Sequence, residues 1–269
     1  GKEGPTVAII GELDALINRT HPQCDPETGA VHSCGHCCQV AALLGLAAAL
    51  KEPGALDGLS GRIRLCAVPA EELIEIGYRN SLPDQGIIHY LGGKVEFMYR
   101  GYMDGCDIAF MFHTGIRNDG MVFACGKGAN GCMAKDIVYK GQASHAGGSP
   151  QKGINALYAA QQGLSAINAI RETFREKDHI RVHPIITKGG GAVNAIPDQV
   201  IIESYVRGGN FDAIKQNNEK VNRALSGAAL SLGANIDIQD TPGYAPLIND
   251  PGMLEVARDA AAYFPDIRC

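Results

Sequence analysis

The sequence predicts an α/β chain of two domains: a parallel sheet with crossover helices, and a β-α-β-β-α-β domain inserted into it. Three observations carry this. Thr6–Ile10, Arg62–Val68 and Asp107–Phe112 are short apolar runs with helix-forming stretches between them, the alternation of a parallel sheet. Each run leads into polar groups, Asp14, Glu71-Glu72 and His113, at the strand ends where open α/β sheets hold ligands. Beyond Arg117 the pattern changes to strands and two long helices in the order of a ferredoxin-like split unit. The first domain is therefore assigned 1–116 and 243–269, and the second 117–242.

Taken in order, Thr6–Ile10 reads as a strand covered on both faces. Asn18–Val31 is a loop rich in Pro, Gly, Thr and Asp. Gln39–Lys51 reads as a buried helix ended by Pro53-Gly54. Ser81–Tyr99 is partly helical, with poor periodicity. In the second domain, Cys132–Lys140, Ile180–Ile186, Gln199–Val206 and Ala234–Gln239 read as strands. Gly153–Phe174 is a helix with apolar residues at Leu157, Ala160, Leu164 and Ile167, and Phe211–Leu232 is another. Met253–Phe264 returns to the first domain as a helix.

Composition narrows the function. The formal net charge of -5 comes without any basic run, which argues against nucleic acid. Leu43–Leu50 is too short to span a bilayer, so no membrane partner is expected. Nine cysteines without a signal peptide point to reduced thiols and a cytoplasmic address. Both ends look cut: the chain opens almost at once on a strand and stops just after a helix.

Two motifs invite misreading. Gly126-Lys127-Gly128-Ala129-Asn130-Gly131 fits G-x-G-x-x-G, but a strand follows it where a dinucleotide site needs a helix. Cys34-Gly35-His36-Cys37 is a C-x-x-C at a helix start, which can lower a thiol pKa, so a thiol–disulfide oxidoreductase using Cys34 and Cys37 is one reading. Against it, the chain has no Trp and Ser33 stands where such enzymes carry an aromatic. That reading also leaves Glu71-Glu72, His113 and His145 unexplained. A metal site uses more of the chain, since Cys, His and carboxylates are the ligands of hydrolytic centres. Alone, His113 reads as a core histidine, Glu71-Glu72 as solvated charges and His145 as an exposed loop residue. Together, Glu71-Glu72 and His113 occupy equivalent strand ends, next to Cys34 and His36 at a loop–helix junction.

The ordered series Glu12-Leu13-Asp14-Ala15-Leu16, Cys34-Gly35-His36, Pro69-Ala70-Glu71-Glu72, His113, Gly141-Gln142-Ala143-Ser144-His145-Ala146 and Asn194-Ala195-Ile196-Pro197-Asp198 resembles the M20 family of metallopeptidases and amidohydrolases. The aminoacylase and aminobenzoyl-glutamate hydrolase branch is nearest, and the likeness runs through nearly the whole chain. It implies a parallel-sheet metallohydrolase domain holding two divalent ions (Zn, Mn, Co or Ni), with the inserted domain as a lid. By that pattern Cys34, His36, Glu72 and His113 are metal ligands, Cys34 replacing a bridging carboxylate. Glu71 is the general base, His145 the oxyanion donor, Asn194 and Arg207 substrate contacts, and Asp14 orients the ligands.

The implied activity is hydrolysis of an amide in an N-acyl amino acid, an aminobenzoyl-glutamate-like compound or a dipeptide, by a homodimer or higher homo-oligomer. A catalytically silent relative is a further possibility. Three departures stand out. Cys37 occupies a position where the family carries Asp or Asn. The family's further C-terminal ligand, a histidine, has no counterpart after His183. An upstream helical segment of the family is missing too.

Overall fold

The computed structural model describes residues 3–115, 122–126, 128–264 and 266. Its strands and α-helices run β1 (Thr6–Glu12), β2 (Leu16–Ile17), β3 (Ala30–Val31), α1 (His36–Ala49), β4 (Arg62–Val68), α2 (Ile76–Asn80), α3 (Gly93–Tyr99), β5 (Ile108–Met111), β6 (Gly128–Ala129), β7 (Gly131–Lys140), α4 (Ala156–Ile170), β8 (Arg181–Val182), β9 (Ile185–Lys188), β10 (Gln199–Gly208), α5 (Phe211–Ser231), β11 (Asn235–Tyr244), β12 (Leu247–Ile248) and α6 (Pro251–Ala261). By their contacts the described residues form two units. One is drawn from Gly1–Ile74 and Leu82–Val122, the other from Glu75–Ser81 and Phe123–Cys269.

The first unit holds a parallel sheet in the order β4-β1-β5. β1 is central, and its Ala8 and Ile10 pack with Cys66, Val68, Phe97 and Met111. Register sets Glu12 beside Val68 and Ile10 beside Met111, so all three strands finish at one edge. α1 buries His36, Gln39 and Leu43, a stripe at helical spacing. It begins three residues before the predicted Gln39 because the buried His36 already belongs to that stripe. Of the stretch Ser81–Tyr99, Gly93–Tyr99 alone is helical. α3 lies close to the chain leaving β4: a Cβ on Gly93 would fall 1.6 Å from Pro69 O, and Gly93 N donates to Ala70 O at 3.0 Å. Glu96 fixes the approach to this helix, accepting from the N–H groups of His89 and Tyr90, each at 2.9 Å.

The second unit is built on an antiparallel sheet, β11-β7-β10-β8, with β9 also paired to β10. Its sequence order is strand, helix, two short strands, strand, helix, strand. Ile137, Tyr139, Val200 and Ile202 meet Ala156, Ala160, Val221 and Leu225 of the two helices in one core. Asn155 and Asn210 cap those helices by accepting main-chain N–H groups. The strand expected at Ile180–Ile186 is broken into β8 and β9 at Pro184, which has no N–H to give the ladder. α2 belongs to this unit: Gly77 N donates to Glu203 Oε1 at 3.1 Å and Thr241 Oγ1 to Asn80 Oδ1 at 3.0 Å.

The contacts also group the segment before and including α6 with the second unit, whereas the sequence assigned 243–269 to the first. The cause is local pairing: β12 pairs with β6, and Asn249 Nδ2 donates to Gly126 O at 2.7 Å. The boundary expected at 116/117 and the expected end at 267–269 lie outside the described residues. Among the described residues no helix is long and apolar enough to cross a membrane.

Candidate metal centre

The carboxyl edge of the first unit's sheet gathers three ligand-bearing side chains. Cys34 comes from the loop before α1, His36 from its first residue and His113 from just past β5. One ligand atom from each lies within 4.8 Å of the others. Cys34 Sγ is 3.7 Å from His113 Nε2, and the two imidazoles meet edge to face with centroids 5.6 Å apart.

Both histidines are held the same way. His36 Nδ1 lies 2.9 Å from Asp14 O, and His113 Nδ1 lies 2.7 Å from Thr114 O. A carbonyl oxygen only accepts, so each Nδ1 carries the proton and each Nε2 presents a lone pair. A ring nitrogen tied to a main-chain carbonyl is the usual support of a metal-binding histidine.

Carboxylates complete the surroundings. Glu12, 1% exposed at the end of β1, sets its Oε2 3.2 Å from His36 Nε2 without hydrogen-bond geometry. His36 Nε2 and Asp14 Oδ1 are thus buried with no hydrogen-bond partner. Asp14 Oδ2 accepts from Glu72 N at 2.7 Å, which ties the β4 strand end to β1. Gln39 locks Glu12 by accepting from its N–H at 2.6 Å and donating to its Oε2 at 3.1 Å. Lys94 of α3 pairs with Glu12 Oε1 and stands 3.9 Å from Glu71 Oε1. Glu12, His36 and Glu71 form a second group whose ligand atoms lie within 4.8 Å of one another. Ala70, just before Glu71, holds a left-handed φ of 61° that turns the chain at this edge.

These residues fit a divalent cation. Two lone-pair nitrogens, a thiol and several carboxylates converge, and two buried polar atoms lack partners. Burial first, then hydrogen bonding and charge from Glu72, pushes the Cys34 thiol up to about 12. Burial also raises Glu71, over the opposing pull of Lys94. Neighbouring carboxylates add to burial in both shifts, and a cation would relieve that part.

The geometry depends on Gly35, which sits at φ 99° between Cys34 and His36, where a Cβ would fall 1.9 Å from Thr114 Oγ1. Left-handed backbone costs an alanine roughly 1–2 kcal/mol, and relief of the clash has to move Cys34 or His113. Gly35→Ala is therefore expected to weaken zinc binding by about tenfold or more, since 1.4 kcal/mol is a factor of ten. Competition against a chromogenic chelator measures this, and an unchanged affinity would show that the loop adapts freely.

The remaining predicted residues lie in the second unit. His145 bridges to Ala195, and Ala146 N donates to Asn194 O at 2.9 Å, so the loops carrying His145 and Asn194 are zipped together. His145 Nδ1 accepts from the N–H groups of Gly147 and Gly148 at 3.1 and 2.9 Å. Its proton therefore resides on Nε2, leaving an exposed N–H donor. Arg207 is not with them. β10 begins at Gln199 beside these loops, and Arg207 lies eight residues further along it, roughly 27 Å at strand rise. There its Nη2 donates to Tyr244 Oη at 2.6 Å.

Sequence reasoning left Glu12, Gln39 and Lys94 without roles. Glu12 has a signal in its place at a strand end within Glu12–Leu16; Gln39 and Lys94 carry none, because their partners are distant in sequence.

A family model described as peptidase family M20/M25/M40 matches residues 8–266. An indole-3-acetyl-aspartic acid hydrolase of Enterobacter agglomerans is 29% identical over 99% of this chain and 59% of its own length. An N-acetyl-L-cysteine deacetylase of Bacillus subtilis (strain 168) is 32% identical over 96% of this chain and 59% of its own. The chain thus spans about three fifths of the length of these curated relatives. A solved Bacillus subtilis structure, described as a dinuclear metal-binding peptidase of the M20 family, superposes with a TM-score of 0.62 at 24% identity, covering 100% of this chain and 65% of that one. That likeness establishes the shared fold, and the match of the family model over nearly all its residues shows that the chain belongs to peptidase family M20/M25/M40.

Proposed function

We propose that this chain is a metal-dependent amidohydrolase. It would cleave the amide of an N-acyl amino acid, an aminobenzoyl-glutamate-like compound or a dipeptide that carries a carboxylate. One observation carries the reading: His36 and His113, each tied through Nδ1 to a main-chain carbonyl, share with the Cys34 thiol one group of ligand atoms that lie within 4.8 Å of one another. The names of the relatives, which hydrolyse or deacylate such amides, support the substrate class.

Cys34, His36, Glu72 and His113 would hold two divalent ions, Zn, Mn, Co or Ni. Such ions polarise a carbonyl and lower the pKa of water from ~15.7 to about 7. Asp14 orients the set through its carbonyl on His36 and its carboxylate on Glu72 N. Glu71, raised by burial, is suited to take a proton from water and return it to the leaving nitrogen. His145, donating from Nε2, stabilises the oxyanion, and Asn194 in the neighbouring loop contacts the substrate. Arg207, at the other end of β10, contacts a substrate carboxylate only if that group reaches the far end of the sheet; its bond to Tyr244 favours a structural role. The second unit serves as the lid and as the surface through which copies associate, in a cytoplasmic homo-oligomer.

The thiol–disulfide reading is weaker. An exchanging C-x-x-C needs a lowered thiol pKa, whereas the Cys34 thiol is pushed up to about 12.

Metal analysis of protein purified without chelator tests the proposal. About two equivalents per chain are expected, with most lost in Cys34→Ser. No bound metal, together with turnover in an insulin-reduction assay, would overturn it in favour of the redox reading. Metal without hydrolysis of any N-acyl amino acid would mark a silent relative.

A further inference from the structure

Two overlapping ligand groups compete for one imidazole. Cys34, His36 and His113 form a sulfur- and nitrogen-rich group, and Glu12, His36 and Glu71 form an oxygen-rich one. His36 belongs to both, yet its single available nitrogen, Nε2, can serve one ion at a time. That atom is buried and has no hydrogen-bond partner, and Glu12 Oε2 lies 3.2 Å from it. The oxygen-rich group already has a cation: the Lys94 ammonium pairs with Glu12 Oε1 and stands 3.9 Å from Glu71 Oε1.

We propose that Lys94 is a built-in occupant of the Glu12–His36–Glu71 seat, and that it thereby directs a divalent ion to Cys34 and His113. The inference rests on the metal-binding reading above and deepens it into ion selectivity. Glu12 is a nearly fully buried carboxylate and needs a positive partner. With Lys94 present, an incoming ion has to displace an ammonium whose helix is held at the edge by the close contact of Gly93 with Pro69 and by the Glu96 bonds. Without it, Glu12 and Glu71 become free oxygen ligands beside His36 Nε2. Such ligands suit hard ions such as manganese, whereas thiolate and imidazole suit zinc and cobalt. Lys94 is thus a specificity-determining residue for the ion rather than for the substrate.

The probe is cobalt(II) added to metal-free protein, read by the thiolate-to-cobalt charge-transfer band, which reports ligation by Cys34 independently of activity. Wild type and Lys94→Arg are expected to show the full band per bound cobalt. Lys94→Met is expected to show roughly half or less, as the freed Glu12 and Glu71 carboxylates draw the ion and the shared His36 imidazole away from Cys34, together with tighter manganese binding. The double variant Glu12→Gln/Lys94→Met removes the competing carboxylate and is expected to restore the band. Lys94→Gln supplies the same comparison if Lys94→Met fails to fold. An undiminished band per bound cobalt in the neutral variants, with wild-type manganese affinity, overturns the inference while leaving the metal centre intact. Absence of the band in wild type overturns the metal centre itself.

Discussion

Replacing Asp240 by alanine is expected to destabilise the second unit by about 3–5 kcal/mol, the usual cost of leaving a buried charge without its partner. Lys135 is 0% exposed in the middle of β7. Its ammonium donates to Asn218 Oδ1 at 2.8 Å, to Asn222 Oδ1 and to Asp240 Oδ1. Asp240 Oδ2 in turn accepts from the Nδ2 groups of Asn218 and Asn222 at 2.6 and 2.7 Å. The network is closed, so removing its one carboxylate leaves the ammonium with amide oxygens alone. Denaturant unfolding followed by far-ultraviolet circular dichroism measures the loss, and a change below 1 kcal/mol would show that water replaces the carboxylate. Lys135→Met/Asp240→Leu, which removes both charges, is expected to recover most of the stability.

The same network gives a pH dependence with a definite sign. Burial raises Asp240, but hydrogen bonds from Lys135, Asn222 and Asn218 outweigh it and hold the carboxyl below its ordinary 3.8. A depressed carboxyl stabilises the fold at pH values above its unfolded pKa, and that contribution is lost as pH falls through the folded one. The stability gap between wild type and Asp240→Asn is therefore expected to be constant near neutrality and to close below about pH 4. Lys135 works in the opposite sense. Burial lowers it below its ordinary 10.5, so its charge carries a cost near neutrality that eases as pH rises toward that value. The paired carboxylate is what makes that charge tolerable.

Glu71→Gln is expected to remove most hydrolysis, about 10²–10⁴-fold in kcat, while leaving the metal content of the protein unchanged. The substitution keeps size and removes the group that can take a proton. Steady-state hydrolysis of N-acetyl amino acids and elemental analysis of the same sample check both halves. Wild-type activity would refute the proton-transfer role, and loss of metal along with activity would make Glu71 a ligand instead. The second outcome has a structural counterpart, since Glu71 already shares a ligand group with Glu12 and His36.

The parallel sheet was legible because its strands are short apolar runs ended by charged or imidazole groups; the central β1 is largely buried as such a run implies, whereas β4 leaves Ile63 and Leu65 exposed. Cys34, His36 and His113 were legible for the same reason: strand ends and a helix start place them at one edge. Pro184 explains the divided strand, a local signal that the apolar run around it concealed. Arg207 and Asn194 look comparable in sequence, as polar residues of one domain. Asn194 lies in the loop before β10 and Arg207 near the far end of that strand, and register does not show before the strands are paired. Lys94 was illegible because an exposed-looking lysine after two glycines is ordinary; its importance comes from how closely Gly93 lets α3 approach Pro69.

Gln39 shows what the edge demands of its chemistry. Fully buried, it accepts from Glu12 N, donates to Glu12 Oε2 and donates to Phe112 O at 2.8 Å. One amide thus stitches β1, α1 and the exit of β5 together, three residues from His36. Only a tip that both gives and receives protons can make all three bonds: leucine makes none, and an ionised glutamate keeps the acceptor but loses both donors. Cys37 and Cys38, between His36 and Gln39, are exposed and bear no such constraint. Of the two positions between the buried His36 and Gln39, 37 is the one where the family carries Asp or Asn, so a comparison of close relatives should find variety at 38 and glutamine at 39.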